Sequence, residues 1–340
     1  MNSFSLLLYK YKSLFQALFC KNRCYNLVFS LLSCLRKDPK TKHLPFIFQI
    51  EPTNQCNLCC VLCPTGEKTL KRPKTNLSLD IYKQAVDQLE NHVIYLSLYN
   101  MGEPLLNKDI FPMIRYARDK NIFVRLNSNG TLINKSVAEQ IIDSDLNEIL
   151  ISLDSATAEK YLTYKKSDGF AKVLHNLKLL IEKRANKKHP FIAIQLLLQK
   201  NSEYDILKFK QIAKSLKVDK VLLKKIRVNS PGSAIKADFL PQNKKLIRNY
   251  YKSKQNKKSC LRPWQSAVIL SNGDVVACCF DMEAKHVFGN ISQNSFQTIW
   301  SNKKYIEFRE KIKTDLNQLS LCKACSLEDI SFYLGLLLNK

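Results

Sequence analysis

Three cysteines within eight residues give this chain its clearest potential for chemistry: Cys56, Cys60 and Cys63. Their spacing is C-x3-C-x2-C. An iron–sulfur cube normally takes four thiolates, so a loop that offers three leaves one iron free to bind a small molecule. A structural zinc site is the alternative, but it would need a fourth ligand, and no histidine lies near this loop. Cys59 falls outside the spacing, and we interpret it as a structural thiol.

A second group of cysteines lies in the C-terminal part of the chain. Two apolar runs joined through Asn272 and Gly273 predict a β-hairpin with cysteines before it and at its end. Together with a later C-x2-C pair, they could saturate one further metal centre: Cys260, Cys278, Cys322 and Cys325. Thiolates bind both zinc and iron–sulfur clusters, so a zinc ribbon with four thiolates is the alternative.

The elements that must position the first cysteines begin at Phe46, where strand and helix patterns start to alternate. We predict six βα repeats, and the fold class is therefore α/β with a parallel sheet. The first strand, 46–51, delivers the cysteine loop at its carboxyl end, where parallel βα barrels carry their ligand sites. The further predicted strands are 93–99, 122–126, 148–153, 191–198 and 220–226. A single helix over 296–312 is predicted after the hairpin.

Polar segments follow three of these strands. Gly102 and Glu103 come after the second strand and Ser128 and Asn129 after the third, while Ser152 and Asp154 end the fourth. Each segment also has a purely structural interpretation, because Gly-Glu-Pro and Asn-Gly are common turns and strand ends often carry capping residues.

The cysteine loop, the six repeats and these polar segments together resemble the radical S-adenosylmethionine (SAM) superfamily. The resemblance implies a partial (βα)6 TIM-like barrel and a [4Fe–4S] cluster whose open iron binds SAM. Reductive cleavage of SAM would yield a 5′-deoxyadenosyl radical that abstracts hydrogen from a substrate. It further implies that Glu103 meets the methionine amino group and that Ser128 and Asn129 approach the ribose and carboxylate. Ser152 is expected near SAM, and Asp154 near SAM or substrate.

Two segments depart from the pattern of the superfamily. Leu62 occupies a position at which many members place an aromatic residue against adenine. Lys165 and Lys166 stand where the family has Arg-Gly, and lysine lacks the planar fork that suits a carboxylate. We therefore leave both lysines out of the predicted site.

The C-terminal cysteines, with the spacing Gly273-x4-Cys278, resemble SPASM and the shorter "twitch" domains. The resemblance implies a small α+β iron–sulfur domain with one auxiliary [4Fe–4S] cluster. Cys279 could exchange roles with Cys278, although the spacing favours Cys278. We predict three regions: an N-terminal helical extension (1–45), the barrel (46–240) and the auxiliary cluster domain (241–340).

Charge and cysteine content narrow the functional class. The 340-residue chain has a formal net charge of +25, but the basic residues are spread along it and accompany no nucleic-acid motif. We therefore expect no specific nucleic-acid partner. Twelve cysteines in a chain this long do not indicate a secreted disulfide scaffold. Cysteines grouped as metal ligands indicate a reducing compartment, and we expect a cytoplasmic protein.

Residues 1–45 differ from the rest. The longest uncharged run, 24–35, is too short to span a bilayer, and positive charges interrupt the apolar residues instead of preceding them as in a secretory signal. We expect two short amphipathic helices whose apolar faces cover the barrel or lie at a membrane surface. We interpret Cys20, Cys24 and Cys34 as small core residues.

The resemblance implies a radical SAM oxidoreductase or maturase that oxidises or modifies a sugar, a cyclitol or a peptide. The auxiliary cluster could accept an electron from the substrate radical, and a flavodoxin or ferredoxin would supply electrons to the first cluster. One alternative is a peptide maturase that forms crosslinks or thioethers, although no separate leader-binding domain is evident in the N-terminal segment. A nonenzymatic zinc-binding adaptor is the alternative from another class.

Overall fold

One mixed sheet organises the chain. The computed structural model describes residues 20–200, 202–225, 239–243, 246, 260–323 and 325. The strands, in chain order, are β1 (Ile47–Ile50), β2 (Tyr95–Leu98), β3 (Phe123–Ser128), β4 (Glu148–Ile151), β5 (Phe191–Leu198), β6 (Lys220–Lys225), β7 (Ser266–Ile269), β8 (Asp274–Val276) and β9 (Val287–Asn290). Within the described ranges their order across the sheet is β6-β5-β4-β3-β2-β1-β7-β8-β9.

Helices connect and flank these strands. They are α1 (Lys21–Arg36), α2 (Leu79–Leu89), α3 (Ile110–Asp119), α4 (Lys135–Asp143), α5 (Ala158–Lys165), α6 (Phe170–Arg184), α7 (Ile206–Leu216), α8 (Arg262–Gln265), α9 (Phe296–Ser301), α10 (Lys303–Thr314) and α11 (Ser320–Lys323). Short 3₁₀ helices lie at Pro104–Leu106, Ser202–Asp205 and Leu316–Gln318.

Strands β1 to β6 run parallel, each paired with the next, and helices separate them along the chain. This arrangement confirms the predicted α/β fold with a partial (βα)6 barrel. The sequence features that predicted these elements are local. Ser78 Oγ caps α2 by accepting from the amide of Ile81, and all eight residues of β5 are buried. A strand covered on both faces can be apolar along nearly its whole length, as 191–198 is except at Gln195.

The C-terminal hairpin extends the barrel sheet. Strand β7 pairs in parallel with β1, and β8 and β9 continue from it as antiparallel strands. Gly273 adopts a φ of +87° in the predicted turn. The two predicted cysteine groups therefore share one sheet.

The single helix predicted over 296–312 is wrong. It is divided into α9 and α10 at Asn302, which has an extended backbone and whose side chain accepts from the Tyr305 amide at 2.9 Å. A strong N-cap residue satisfies an amide that would otherwise lack a partner, and so it favours a new helix start over continuation.

The N-terminal extension contradicts one of the two predicted arrangements, in which the apolar helix faces cover the barrel. The first expected helix lies outside the described residues. The second, α1, contacts the barrel through polar side chains and leaves its apolar side exposed. Cys34 is buried as expected, but Cys24 is exposed. In the part of the chain that the structure describes, no helix combines the length and hydrophobicity needed to cross a bilayer.

A buried carboxylate joins the cysteine-loop side of the barrel to the hairpin. Glu51, directly after β1, is fully buried and forms a bidentate ion pair with Arg72, both contacts at 2.9 Å. Asn100, the amide of Met101, and Ser271 after β7 also donate to it. These contacts hold together the carboxyl ends of β1, β2 and β7, next to the loop that carries Cys56, Cys60 and Cys63.

Replacing Arg72 with leucine should lower the free energy of unfolding by about 3 kcal/mol, because Glu51 would remain as a buried carboxylate without its counter-ion. Urea unfolding followed by circular dichroism measures the change. Lys303→Met is the control, since its pair with Glu307 is exposed and should contribute little. Equal effects of the two substitutions would show that the buried pair is not a structural anchor.

Candidate active site

The cysteine loop emerges at the carboxyl end of β1. Cys56, Cys60 and Cys63 are partly buried, whereas Cys59 is exposed. Burial, with smaller contributions from the neighbouring Cys63 and Cys56 thiols, raises the pKa of Cys60 to about 12, although Lys165 opposes the shift. Burial also raises the pKa of Cys56. Partly buried thiols such as Cys56 and Cys60, whose burial disfavours the thiolate, are suited to a positively charged metal centre, which would stabilise that form.

No three His, Cys, Asp or Glu side chains among the described residues are grouped closely enough to hold a single metal ion. In an iron–sulfur cube each thiolate binds a different iron, so its ligands stand further apart than those of one ion. The assignment of Cys56, Cys60 and Cys63 as ligands remains a prediction.

Gly102 and Glu103 pack directly against the backbone of the cysteine loop. The Glu103 amide donates to the Gln55 carbonyl at 2.7 Å. Gly102 has a φ of +81°, and a Cβ there would lie 2.5 Å from the Thr53 carbonyl oxygen. Any side chain at position 102 would therefore separate the two loops, which explains the glycine.

The Glu103 carboxylate is buried and organises the ends of β2 and β3. Its Oε1 accepts from the Leu105 amide and from Ser128 Oγ, and its Oε2 accepts from the Asn129 amide at 2.7 Å. Burial raises its pKa, and these donors oppose that effect. Because each carboxylate oxygen has two lone pairs, Oε2 retains capacity for one more donor, such as the predicted ammonium group.

Asn129 extends this network to a cysteine. Its Nδ2 donates to Asn57 Oδ1 at 2.9 Å and lies 3.9 Å from Cys56 Sγ, while Asn57 in turn donates to Thr131 Oγ1. The amide of Ser152 donates to the Ser128 carbonyl at 2.9 Å. The predicted polar residues after β2, β3 and β4 thus gather beside the cysteine loop. Their contacts with SAM remain predictions.

Lys165 is a site residue that the sequence analysis excluded. It is buried, and its Nζ pairs with Asp154 Oδ2 at 2.6 Å. Gln195 holds the other oxygen of Asp154 at 2.8 Å, and Asp154 itself adopts a φ of +61°. The lysine lies close enough to Cys60 to lower the pKa of that thiol. Only its position as the last residue of α5 could have indicated that it turns inward.

Lys165→Met should weaken SAM binding by about tenfold, equivalent to about 1.4 kcal/mol, because Asp154 would lose the cation that fixes it. Equilibrium dialysis of SAM against the anaerobic, cluster-loaded protein measures this. Lys166→Met is the matched control, since that neighbouring side chain is exposed. If both variants bind SAM like the parent protein, the ion pair does not position this side of the site.

The C-terminal cysteines surround the hairpin. Cys260 precedes α8, Cys278 follows β8, and the amide of Cys325 donates to the carbonyl of Cys322 at 3.0 Å. Burial raises the pKa of Cys260, and the thiols of Cys325 and Cys279 raise it further. The fold therefore brings cysteines from the two ends of this region together.

A buried arginine, which the sequence analysis did not identify, lies among these thiols. Arg262 Nη1 is 3.1 Å from Cys279 Sγ and 3.8 Å from Cys278 Sγ. The side chain also stacks over Phe280, with Cζ 5.0 Å from the ring centroid. A cation beside two adjacent thiols stabilises thiolate, and both cysteines remain candidates for the same ligand position. The assignment of Cys278 stays a prediction.

Both donor sets fit iron–sulfur clusters in their chemistry, since soft thiolates with amide donors around the sulfurs are what such clusters require. The first set would leave one iron open beside the Glu103 network. The second set would supply a full complement of thiolates.

Comparisons with known proteins agree with these features. Residues 50–235 match the family model of the radical SAM superfamily, and residues 260–326 match the SPASM iron–sulfur cluster-binding domain. The AdoMet-dependent heme synthase of Methanosarcina barkeri is 30% identical over 173 residues, which are 51% of this chain and 48% of that protein. The mycofactocin maturase MftC of Mycobacterium tuberculosis is 25% identical over 292 residues, covering 78% of this chain and 73% of MftC.

Among solved structures, SuiB of Streptococcus suis bound to S-adenosylmethionine superposes with a TM-score of 0.64 at 17% identity, covering 87% of this chain and 75% of SuiB. At that identity the likeness establishes the fold.

The chain spans less than half the length of the first curated relatives it matches. Since the superfamily match covers more than half of the chain, membership implies a SAM-binding [4Fe–4S] cluster, and the SPASM match implies auxiliary iron–sulfur binding. The chain belongs to the radical SAM superfamily, with a SPASM domain in its C-terminal part.

Proposed function

We propose that this protein is a cytoplasmic radical SAM maturase that modifies a peptide by abstracting hydrogen from it. When bound, the cluster and SAM supply a 5′-deoxyadenosyl radical for that step. The observation that carries the proposal is the placement of both cysteine sets along one sheet, with β7 of the hairpin paired directly to β1 of the barrel. A substrate in the barrel would therefore lie between the two centres.

The inner wall of the barrel supports a polar substrate. Gln49 donates to the Tyr99 carbonyl at 2.7 Å, and Arg125 donates to Asn127 Oδ1 at 3.0 Å. Arg125 is buried and lies beside Tyr95 and Glu148 of the neighbouring strands. Amide and guanidinium groups in these positions can also hold the backbone or a carboxylate of a peptide.

The relatives favour a peptide over a sugar or cyclitol. MftC is a maturase, and SuiB has been solved with its precursor peptide SuiA. The formation of crosslinks or thioethers falls within this proposal. The net charge of +25 also suits an acidic electron carrier such as a flavodoxin or ferredoxin as the reducing partner.

The test is anaerobic incubation of the reconstituted protein with SAM and dithionite in the presence of deuterated substrate pools. Mass spectrometry of 5′-deoxyadenosine reports whether deuterium has moved from the substrate. Transfer from a deuterated peptide pool supports the proposal. Transfer from a sugar or cyclitol pool, and none from peptides, would overturn the peptide assignment while leaving the radical chemistry in place.

A further inference from the structure

Helix α1 packs against the barrel through its polar side. Arg23 is 4% exposed and donates to three main-chain carbonyls of neighbouring loops at 2.6–2.8 Å. Asn26 exchanges two hydrogen bonds with the backbone of Leu44, and Ser30 donates to the Trp264 carbonyl at 3.2 Å. These buried contacts, at i, i+3 and i+7, fix the rotation of the helix about its axis.

The opposite side of α1 is apolar and open to solvent. We call it the outer face, and its members are Tyr25 (55% exposed), Val28 (54%), Phe29 (54%), Leu31 (44%), Leu32 (41%) and Leu35 (81%). Their spacing forms one continuous stripe along a helix of 16 residues, about 24 Å long. A surface helix normally turns such a stripe toward the core, so its exposure indicates an external partner.

The charge around the outer face indicates the chemistry of that partner. Besides the buried Arg23, residues 20–37 carry three basic residues and no aspartate or glutamate. In α1, Lys21 stands at one end of the stripe, and Arg36 and Lys37 stand at the other. An apolar stripe between cations matches an anionic bilayer, whose headgroups attract the cations while the acyl boundary takes up the apolar side chains.

We propose that α1 is a peripheral membrane anchor that docks its outer face on an anionic lipid surface. A second copy of the chain fits less well, because pairing two outer faces would bring cations together with no carboxylate on α1 to offset them. The anchor would hold the barrel against the membrane without crossing it. This proposal is independent of the substrate and of the cluster chemistry.

Vesicle co-sedimentation of the full-length, cluster-loaded protein tests the proposal. The probes are phosphatidylcholine vesicles with and without phosphatidylglycerol. The disrupting variant is Val28→Ser/Phe29→Ser/Leu32→Ser. The matched control is Leu162→Ser/Tyr204→Ser/Leu207→Ser, which removes three large side chains that are exposed elsewhere to a similar or greater extent (53%, 71% and 73%). Circular dichroism and iron content verify that each variant is folded.

The parent protein and the control should bind the phosphatidylglycerol vesicles, and the disrupting variant should bind them at least tenfold more weakly, with SAM cleavage in solution unchanged. Failure of the parent to bind, or equal binding by the disrupting variant, would overturn the proposal. The proposal would also be overturned if the parent protein forms a dimer but does not bind lipid, and the disrupting variant is monomeric. Binding that appears only after residues 2–19 are deleted would also overturn it, since that segment would then be the occupant of the outer face.

Discussion

Replacing Cys60 with alanine is expected to abolish SAM cleavage and to remove about four irons per chain, the content of one cube. Alanine offers no donor, so the first cluster would keep two of its three protein ligands. The burial of Cys60 and its position between Cys56, Cys63 and Lys165 place it at the centre of the loop. Iron analysis and chromatography of 5′-deoxyadenosine, both under anaerobic conditions, measure the two effects.

Cys59→Ala is the matched control, because it removes the adjacent thiol from the same loop. Cys59 is exposed and falls outside the C-x3-C-x2-C spacing, so its variant should keep both the iron and the activity. The reverse pattern, with Cys59 required and Cys60 dispensable, would show that the loop binds its metal through a different set of thiols.

The second large effect is expected at Cys260. Cys260→Ala should remove the irons of the auxiliary centre but leave the first cluster, so SAM is still cleaved while the substrate is no longer converted to its oxidised product. The physical reason is that the two centres have separate ligands, although β1 and β7 hold them on one sheet. Mass spectrometry of 5′-deoxyadenosine and of the substrate found by deuterium transfer separates the two activities.

Cys279→Ala serves as the control for this variant, since the C-terminal region offers five thiols for four ligand positions. With Cys278 as the ligand, the Cys279 variant should retain its iron and lose only the contact with Arg262. Loss of iron from the Cys279 variant would transfer the ligand role to that residue. Full product formation by Cys260→Ala would show that the auxiliary centre is not an electron acceptor.

The barrel could be predicted because the sequence patterns that indicate its helices and strands are local. Apolar periodicity sets each helix face, as in α3, whose residues Ile110, Met113, Ile114 and Ala117 are all buried. Strand order then follows from the parallel βα pattern, and the strand ends bring Glu103 and Asn129 to the cysteine loop. The polar residues that a sequence places after successive strands are therefore neighbours in space.

The features that the sequence did not predict depend on long-range contacts, which the periodicity of apolar residues does not encode. Helix α1 has an apolar stripe that suggests packing on the core, yet three polar side chains find backbone partners there and reverse its orientation. Lys165 was excluded because lysine lacks the planar fork that suits a carboxylate, but Asp154 provides a buried counter-ion with which it pairs. Arg72 and Glu51 are 21 residues apart, and nothing in the local sequence indicates that they form a bidentate pair.

The central claim is that three cysteines hold a cube whose remaining iron binds SAM. Electron paramagnetic resonance of anaerobically purified, dithionite-reduced protein, with its metal content determined, tests this claim before and after SAM is added. The account predicts about eight irons per chain and a SAM-dependent change in the spectrum of one cluster. About two zinc ions in place of iron, or an iron spectrum that SAM leaves unchanged, would contradict it.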